Sequence, residues 1–107
     1  MTQLRKGIAE YAVLLALRRR ESYGYEILQE LLHVRRLELS ESTIYPLLNR
    51  LSSDGLLAVR RVSSPAGPPR RYYRLTAAGI RRLDDMDGCW DDIVQSIRQM
   101  REGTSHA

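Results

Sequence analysis

Apolar residues occupy positions 4–20 with almost no polar face. Leu4, Ile8, Tyr11, Ala12, Val13, Leu14, Leu15, Ala16 and Leu17 fall on every side of a helical wheel. A helix that is apolar all round is buried on more than one face. The segment therefore predicts a helix packed inside its own domain on one side and against something else on another. Arg18, Arg19 and Arg20 close it, where cations suit a helix C-terminus. Ser22-Tyr23-Gly24-Tyr25 breaks the pattern, with Ser22 as a candidate cap. Ile27, Leu28, Leu31 and Leu32 then form the stripe of a second helix that reaches Val34, and residues 35–39 are a connection.

Ser40-Glu41-Ser42-Thr43 opens a third helix. Its apolar positions Ile44, Leu47, Leu48 and Leu51 are spaced i, i+3, i+4, i+7, which defines a single buried face, and Gly55 fits the position just past its end. Pro46 must sit in the first turn or bend the second, because it has no N–H to donate; the pattern leaves that boundary open. Residues 56–62 read as a strand, 63–69 as a turn-rich tip and 70–75 as the returning strand. Thr76 caps a last helix from Ala77 to Arg101. There Leu83, Met86, Trp90, Ile93, Ile97 and Met100 are spaced 3, 4, 3, 4, 3. Such a heptad seam implies a helical partner. It is too short to hold two chains unaided, and Gly88 within it weakens the helix by about 1 kcal/mol relative to Ala. Residues 103–107 read as a flexible tail.

Three short helices, a two-stranded hairpin and a long helix give the winged helix-turn-helix layout. The expected fold is mainly α with a two-stranded β-wing and a long C-terminal dimerisation helix. Residues 1–76 would be the DNA-binding region, 77–102 the dimerisation helix and 103–107 the tail. Burying the apolar face of the third helix turns Ser42, Thr43, Tyr45, Pro46, Asn49 and Arg50 outward. These hydroxyls, amide and guanidinium can donate to phosphates and read base edges in a major groove. Arg60, Arg61, Arg70 and Arg71 flank the Pro/Gly tip, where a wing would reach the DNA backbone or minor groove.

Charge supports this reading. The net charge is +4 over 107 residues, and it is unevenly placed. Residues 1–76 hold 13 Lys/Arg against 7 Asp/Glu, whereas residues 77–107 hold 4 against 6. A cationic excess suits a polyphosphate partner, because binding releases condensed counterions. A winged helix used only for protein contact is the rival reading, and a basic wing speaks against it. Hydrophobic residues at 43% supply one modest core, to which a partner subunit would add burial.

Other classes find little in the sequence. Cys89 is the single cysteine, so there is neither a disulfide framework nor a Cys-based zinc site. The two histidines are His33 at a helix end and His106 in the tail, and no nucleophile motif or phosphate loop is present. No enzymatic activity, metal or cofactor is expected. Asp84, Asp85, Asp87, Asp91 and Asp92 read as the solvated face of the last helix. No run approaches the ~18 apolar residues of a membrane span. Glu10 within the first apolar segment, and the lack of a small-residue cleavage site, argue against a signal peptide and for a cytoplasmic protein.

Several stretches together are specific. Leu4-Arg5-Lys6-Gly7, Tyr23-Gly24-Tyr25-Glu26-Ile27, Ser42-Thr43-Ile44-Tyr45-Pro46-Leu47-Leu48, Leu51 to Gly55-Leu56, and Gly67-Pro68-Pro69-Arg70-Arg71-Tyr72-Tyr73-Arg74-Leu75-Thr76 with Gly79 resemble the PadR pattern over residues 4–100. The short C-terminus is similar to the subfamily with one dimerisation helix. The resemblance implies a homodimeric regulator, usually a repressor, bound to double-stranded DNA at a pseudo-palindromic operator. It places Tyr45, the polar residues before it and the wing on DNA, with Tyr23-Gly24 near the backbone. Taken with the outward face of the third helix, the residues expected on DNA are Tyr23, Ser42, Thr43, Tyr45, Asn49, Arg50, Arg61, Arg70 and Arg71. It also implies that the last helix of one chain packs on the first and last helices of the other, through Ile8, Leu15, Leu83, Met86, Trp90, Ile93, Ile97 and Met100. Trp90 has two readings. Packing alone accounts for an indole at a heptad position. In multidrug-sensing relatives, however, a Trp eleven residues after the equivalent of Gly79 stacks flat aromatic ligands. Trp90 would then bind a planar aromatic effector, with Asp87 and Asp91 favouring cationic ones.

Overall fold

The computed structural model describes residues 3–103. Its elements are α1 (Gln3–Arg18), β1 (Ser22–Tyr23), α2 (Gly24–Leu32), a 3-10 turn (Arg35–Leu37), α3 (Glu41–Ser53), β2 (Leu57–Val62), β3 (Arg70–Leu75) and α4 (Ala77–Arg101). This is the mainly helical winged fold expected, with one added strand. The residues expected as the tail lie outside the described part, save Gly103, which closes a turn after α4.

That added strand corrects the reading of Ser22 as a helix cap. Ser22 is buried in β1, where Ser22 pairs with Tyr73 and Tyr23 with Tyr72, so the antiparallel sheet has the order β1-β3-β2. The cap passes to Tyr23, whose backbone N–H donates to the Glu26 carboxylate at 3.0 Å. Two residues are too few for an alternating pattern to announce a strand, and a Ser before a helix satisfies the capping rule equally well. The second helix also stops earlier than its stripe. Leu32 and Val34 are exposed, because α2 ends at Leu32 and the chain turns away.

Ile44, Leu48 and Leu51 of α3 are fully buried, and Leu47 is half-buried at the edge. They close against Val13, Leu14 and Leu17 of α1 and Ile27, Leu28 and Leu31 of α2. Burying these side chains stabilises the head by about 1.5–3 kcal/mol each. Pro46 is the sixth residue of α3, so it stands in the second turn and leaves the Ser42 carbonyl without its helical donor. Gly55, with φ +79°, turns the chain out of α3 as its position predicts.

Thr76 fixes where α4 starts. Its Oγ1 donates to the Gly55 carbonyl at 2.7 Å and accepts from the Gly79 N–H at 3.0 Å, while its own N–H donates to the Leu56 carbonyl at 3.1 Å. The start of α4 is thereby held to the end of α3. Gly79 and Leu83 are buried, but past Met86 the helix leaves the core and projects, giving a molecule of 65 × 28 × 21 Å.

Candidate nucleic-acid interface

The outward side of α3 divides into two faces. Tyr45 and Asn49 border a groove of 620 Å³ between α3, the start of α2 and the wing, shared with Tyr23, Tyr25, Arg70 and Arg71. Ser42, Thr43, Pro46, Leu47 and Arg50 face α1 across a second groove. Ser42 and Asn49 are exposed, and Thr43 is half-buried. At the N-terminus of α3, Ser40 Oγ lies 3.0 Å from Ser42 Oγ and 3.3 Å from Thr43 Oγ1, so three hydroxyls cluster where helix N–H groups also point outward.

Tyr45 is seated rather than freely displayed. Its ring lies against Gly24, where a Cβ would meet Cε1 at 3.1 Å, and it packs on the core. Burial, with Glu41 nearby adding to it, pushes the Tyr45 hydroxyl above its ordinary value. The group stays protonated at neutral pH and offers a donor.

The wing arginines fall into two sets by face, since strand side chains alternate. On one face Arg60 donates to Glu21 at 2.5 and 3.3 Å and lies 5.2 Å from the centre of the Tyr72 ring, while Arg70 lies 4.7 Å over the Tyr23 ring. The Arg60 guanidinium holds the Glu21 carboxyl below its usual range. On the other face Arg61 and Arg71 are cross-strand partners, exposed, with no ion-pair partner among the described residues. Cations lacking an internal carboxylate are the ones available to phosphate.

The projecting end of α4 exposes Trp90, Ile93, Ile97 and Met100, next to exposed Leu4. Leu4, Ile8, Trp90, Ile93 and Ile97 line an apolar hollow of 510 Å³. The Trp90 and Tyr11 rings are 6.0 Å apart between centroids, tilted at 46°.

The model of the transcriptional regulator PadR-like family matches residues 13–85, two-thirds of the sequence. The chain belongs to the PadR-like family. It is a DNA-binding transcription regulator and not an enzyme. Among solved structures, a PadR-like transcription factor from Bacteroides fragilis is 39% identical, with a TM-score of 0.80 over 92% of this chain and 94% of that one. Bacillus subtilis PadR in complex with operator DNA is 30% identical, with a TM-score of 0.65 over 74% of this chain and 46% of that one. Among curated proteins, the transcriptional activator GvpE1 of Halobacterium salinarum is 36% identical over 74% of this chain and 40% of its own length.

In this PadR-like chain Tyr23, Tyr45, Asn49, Arg70 and Arg71 come together at one groove, while Ser42 stands at the exposed start of α3 and Arg61 beside Arg71. Two of the other residues named from the sequence have different surroundings. Leu83 is 1% exposed and sits in the core of its own protomer, so it is no seam residue; the heptad begins there only in spacing. Asp87 accepts from the Tyr11 hydroxyl and from Arg18, so its carboxylate is engaged within the chain rather than facing a ligand. Asp91 is exposed beside Trp90 in an adjacent hollow. Leu15 and Met86 pack partly on the core, leaving Trp90, Ile93, Ile97 and Met100 as the open apolar face, with half-buried Ile8 beside it. Tyr25, exposed in the α3 groove, was missed: flanking Gly24, it reads as part of a break rather than as a site. Among the described residues no cluster of potential metal ligands occurs, and no helix is long and apolar enough to cross a membrane.

Proposed function

We propose that the protein is a repressor that binds a pseudo-palindromic operator as a homodimer. The observation that carries DNA reading is the groove joining Tyr45 and Asn49 of α3 to the wing, with Arg61 and Arg71 left without carboxylate partners. In this reading Ser42, Thr43, Tyr45 and Asn49 enter the major groove, and Tyr23, Arg61, Arg70 and Arg71 meet the backbone. Residues 1–76 form the reading head and 77–102 the dimerisation helix. That the Bacillus subtilis relative is solved in complex with operator DNA supports DNA as the partner.

The exposed apolar face of α4 supports the dimer. A row comprising Trp90, Ile93, Ile97 and Met100 is costly to leave in water, and a second copy of α4 with α1 would cover it. Two heads would then meet half-sites about one DNA turn apart. A planar aromatic effector would enter beside Trp90, using Asp91 for cationic compounds, and release the operator.

Binding to the protein's own upstream region is the deciding experiment, titrated at several salt concentrations against random DNA. Preference for the upstream region, with affinity falling steeply in salt, is expected; equal affinity for random DNA would refute operator reading. Sedimentation across protein concentrations tests the dimer. Quenching of Trp90 by planar dyes tests the effector site, and a flat titration on a folded dimer rejects it. A promoter fusion that rises when the protein is deleted supports repression, and one that falls makes it an activator.

A further inference from the structure

Glu10 interrupts an otherwise apolar stretch of α1, and its side chain is only 17% exposed. Both carboxylate oxygens are engaged. Oε1 accepts from Arg50 of α3 at 2.7 Å, and Oε2 accepts from Arg82 of α4 at 3.1 Å. One carboxylate thus joins three helices distant in sequence. The next residue, Tyr11, donates to Asp87 of α4 and lies beside the Trp90 ring. Two adjacent residues of α1 therefore connect the helix that carries the apolar outer face to the helix that faces the wing groove.

We propose that Glu10 is a positioning residue for DNA reading: it sets α3, through Arg50, relative to α4, through Arg82. The inference rests on the DNA-reading proposal above and alters one part of it. Arg50 lies away from Tyr45 and Asn49, and its guanidinium is held by the Glu10 carboxylate. To bind a phosphate it would have to give up the Glu10 carboxylate. Arg50 thus acts on DNA by fixing α3 rather than as a phosphate ligand. An isolated exposed ion pair would fix little. Here the carboxylate is largely withdrawn from water and shared between two guanidiniums, so removing one partner disturbs the other. The same arrangement explains why a charge is kept in the apolar stretch of α1.

The test compares full-length wild type with Glu10→Gln, Arg82→Ala, the double variant, Arg50→Ala and Arg50→Lys. Operator affinity is read at several salt concentrations, and amide exchange is read across α2 and α3 in the free protein. Glu10→Gln and Arg82→Ala should each weaken operator binding about fivefold, with no change in the slope of log affinity against log salt. The double variant should lose no more than the weaker single one, and Arg50→Lys should retain most of the wild-type affinity. Exchange in α3 should quicken in Arg82→Ala while core amides of α2 stay slow, although the hydrogen bond of Arg82 goes to α1. Additive losses, or unchanged α3 exchange in Arg82→Ala, would overturn the proposal. So would a salt slope reduced by about one in Arg50→Ala, the mark of a lost phosphate contact. A wild type indifferent to operator DNA, with α3 exchange responding as described, would reject the DNA reading and leave the Glu10 connection standing.

Discussion

Arg61 and Arg71 stand directly opposite one another across the wing, and neither has a carboxylate partner among the described residues. Like charges paired across strands destabilise a sheet by about 0.2–1 kcal/mol. The free protein bears that cost, and a bound phosphate would relieve it. Arg61→Ala should therefore raise the thermal stability of the free protein slightly while weakening operator binding and flattening its salt dependence. Melting curves and salt titrations on the same variant check both signs. A variant that loses stability and leaves the salt slope intact would remove Arg61 from the interface.

Gly79 packs against the Leu56 carbonyl so closely that a Cβ there would fall far inside contact distance of that oxygen. The obstacle is backbone, which cannot swing aside as a side chain does. Gly79→Ala should cost about 1–3 kcal/mol, despite the better helix propensity of Ala, because α4 must shift away from the end of α3. Denaturant unfolding measures it. Gly88→Ala is the control: a Cβ there meets nothing within 4 Å, so that variant should be neutral or stabilised.

Leu83 and Ile97 share the seam spacing but differ in surroundings, with 1% and 50% exposure. Leu83→Ala should cost about 2–5 kcal/mol of protomer stability, whatever the protein concentration. Ile97→Ala should leave the protomer within about 0.5 kcal/mol and act through self-association. Unfolding at several concentrations, together with sedimentation, separates the two effects.

The Tyr11–Asp87 hydrogen bond gives the fold a pH signature at both ends. It pushes the Tyr11 hydroxyl up from 10.0 to about 12, and it holds the Asp87 carboxyl below its ordinary value, assisted by Arg18 against the cost of desolvation. Tyr11 therefore stabilises the fold fully below pH 10, and this is lost as pH rises through about 12. Asp87 stabilises it above the unfolded carboxylate value of about 3.9, and this is lost as pH falls through the lower folded value. Tyr11→Phe should lessen the alkaline loss and move the acid loss to higher pH. Superimposable melting profiles for the two proteins would mean that the bond contributes nothing.

Much of this architecture was legible because single-face patterns are local. Ile44, Leu48 and Leu51 announce α3, Gly55 ends it and Thr76 starts α4, each by chemistry within a few residues of itself. What stayed hidden depends on contacts across the chain. Ser22 satisfies the rule for a cap and the environment of a strand equally, and only Tyr73 decides between them. Leu83 keeps the heptad spacing, but it is closed into the core of the head whereas Ile97 is half exposed beside the start of α1. Asp87 and Arg50 each read as free charges on polar faces, because their partners Tyr11 and Glu10 lie 76 and 40 residues away. Pairings over such separations leave no mark in local periodicity.

The two-residue strand β1 has a consequence for how operators can vary. It bonds the residue that begins α2 to the inner strand of the wing, so helix and hairpin form a single solid piece rather than a reader with a loose flap. In the proposed dimer such a piece cannot stretch to follow a longer or shorter spacer between half-sites. The gauge of the molecule is then set where α4 and α1 meet the partner, and relatives tuned to different spacers should differ in those helices while their hairpins stay interchangeable.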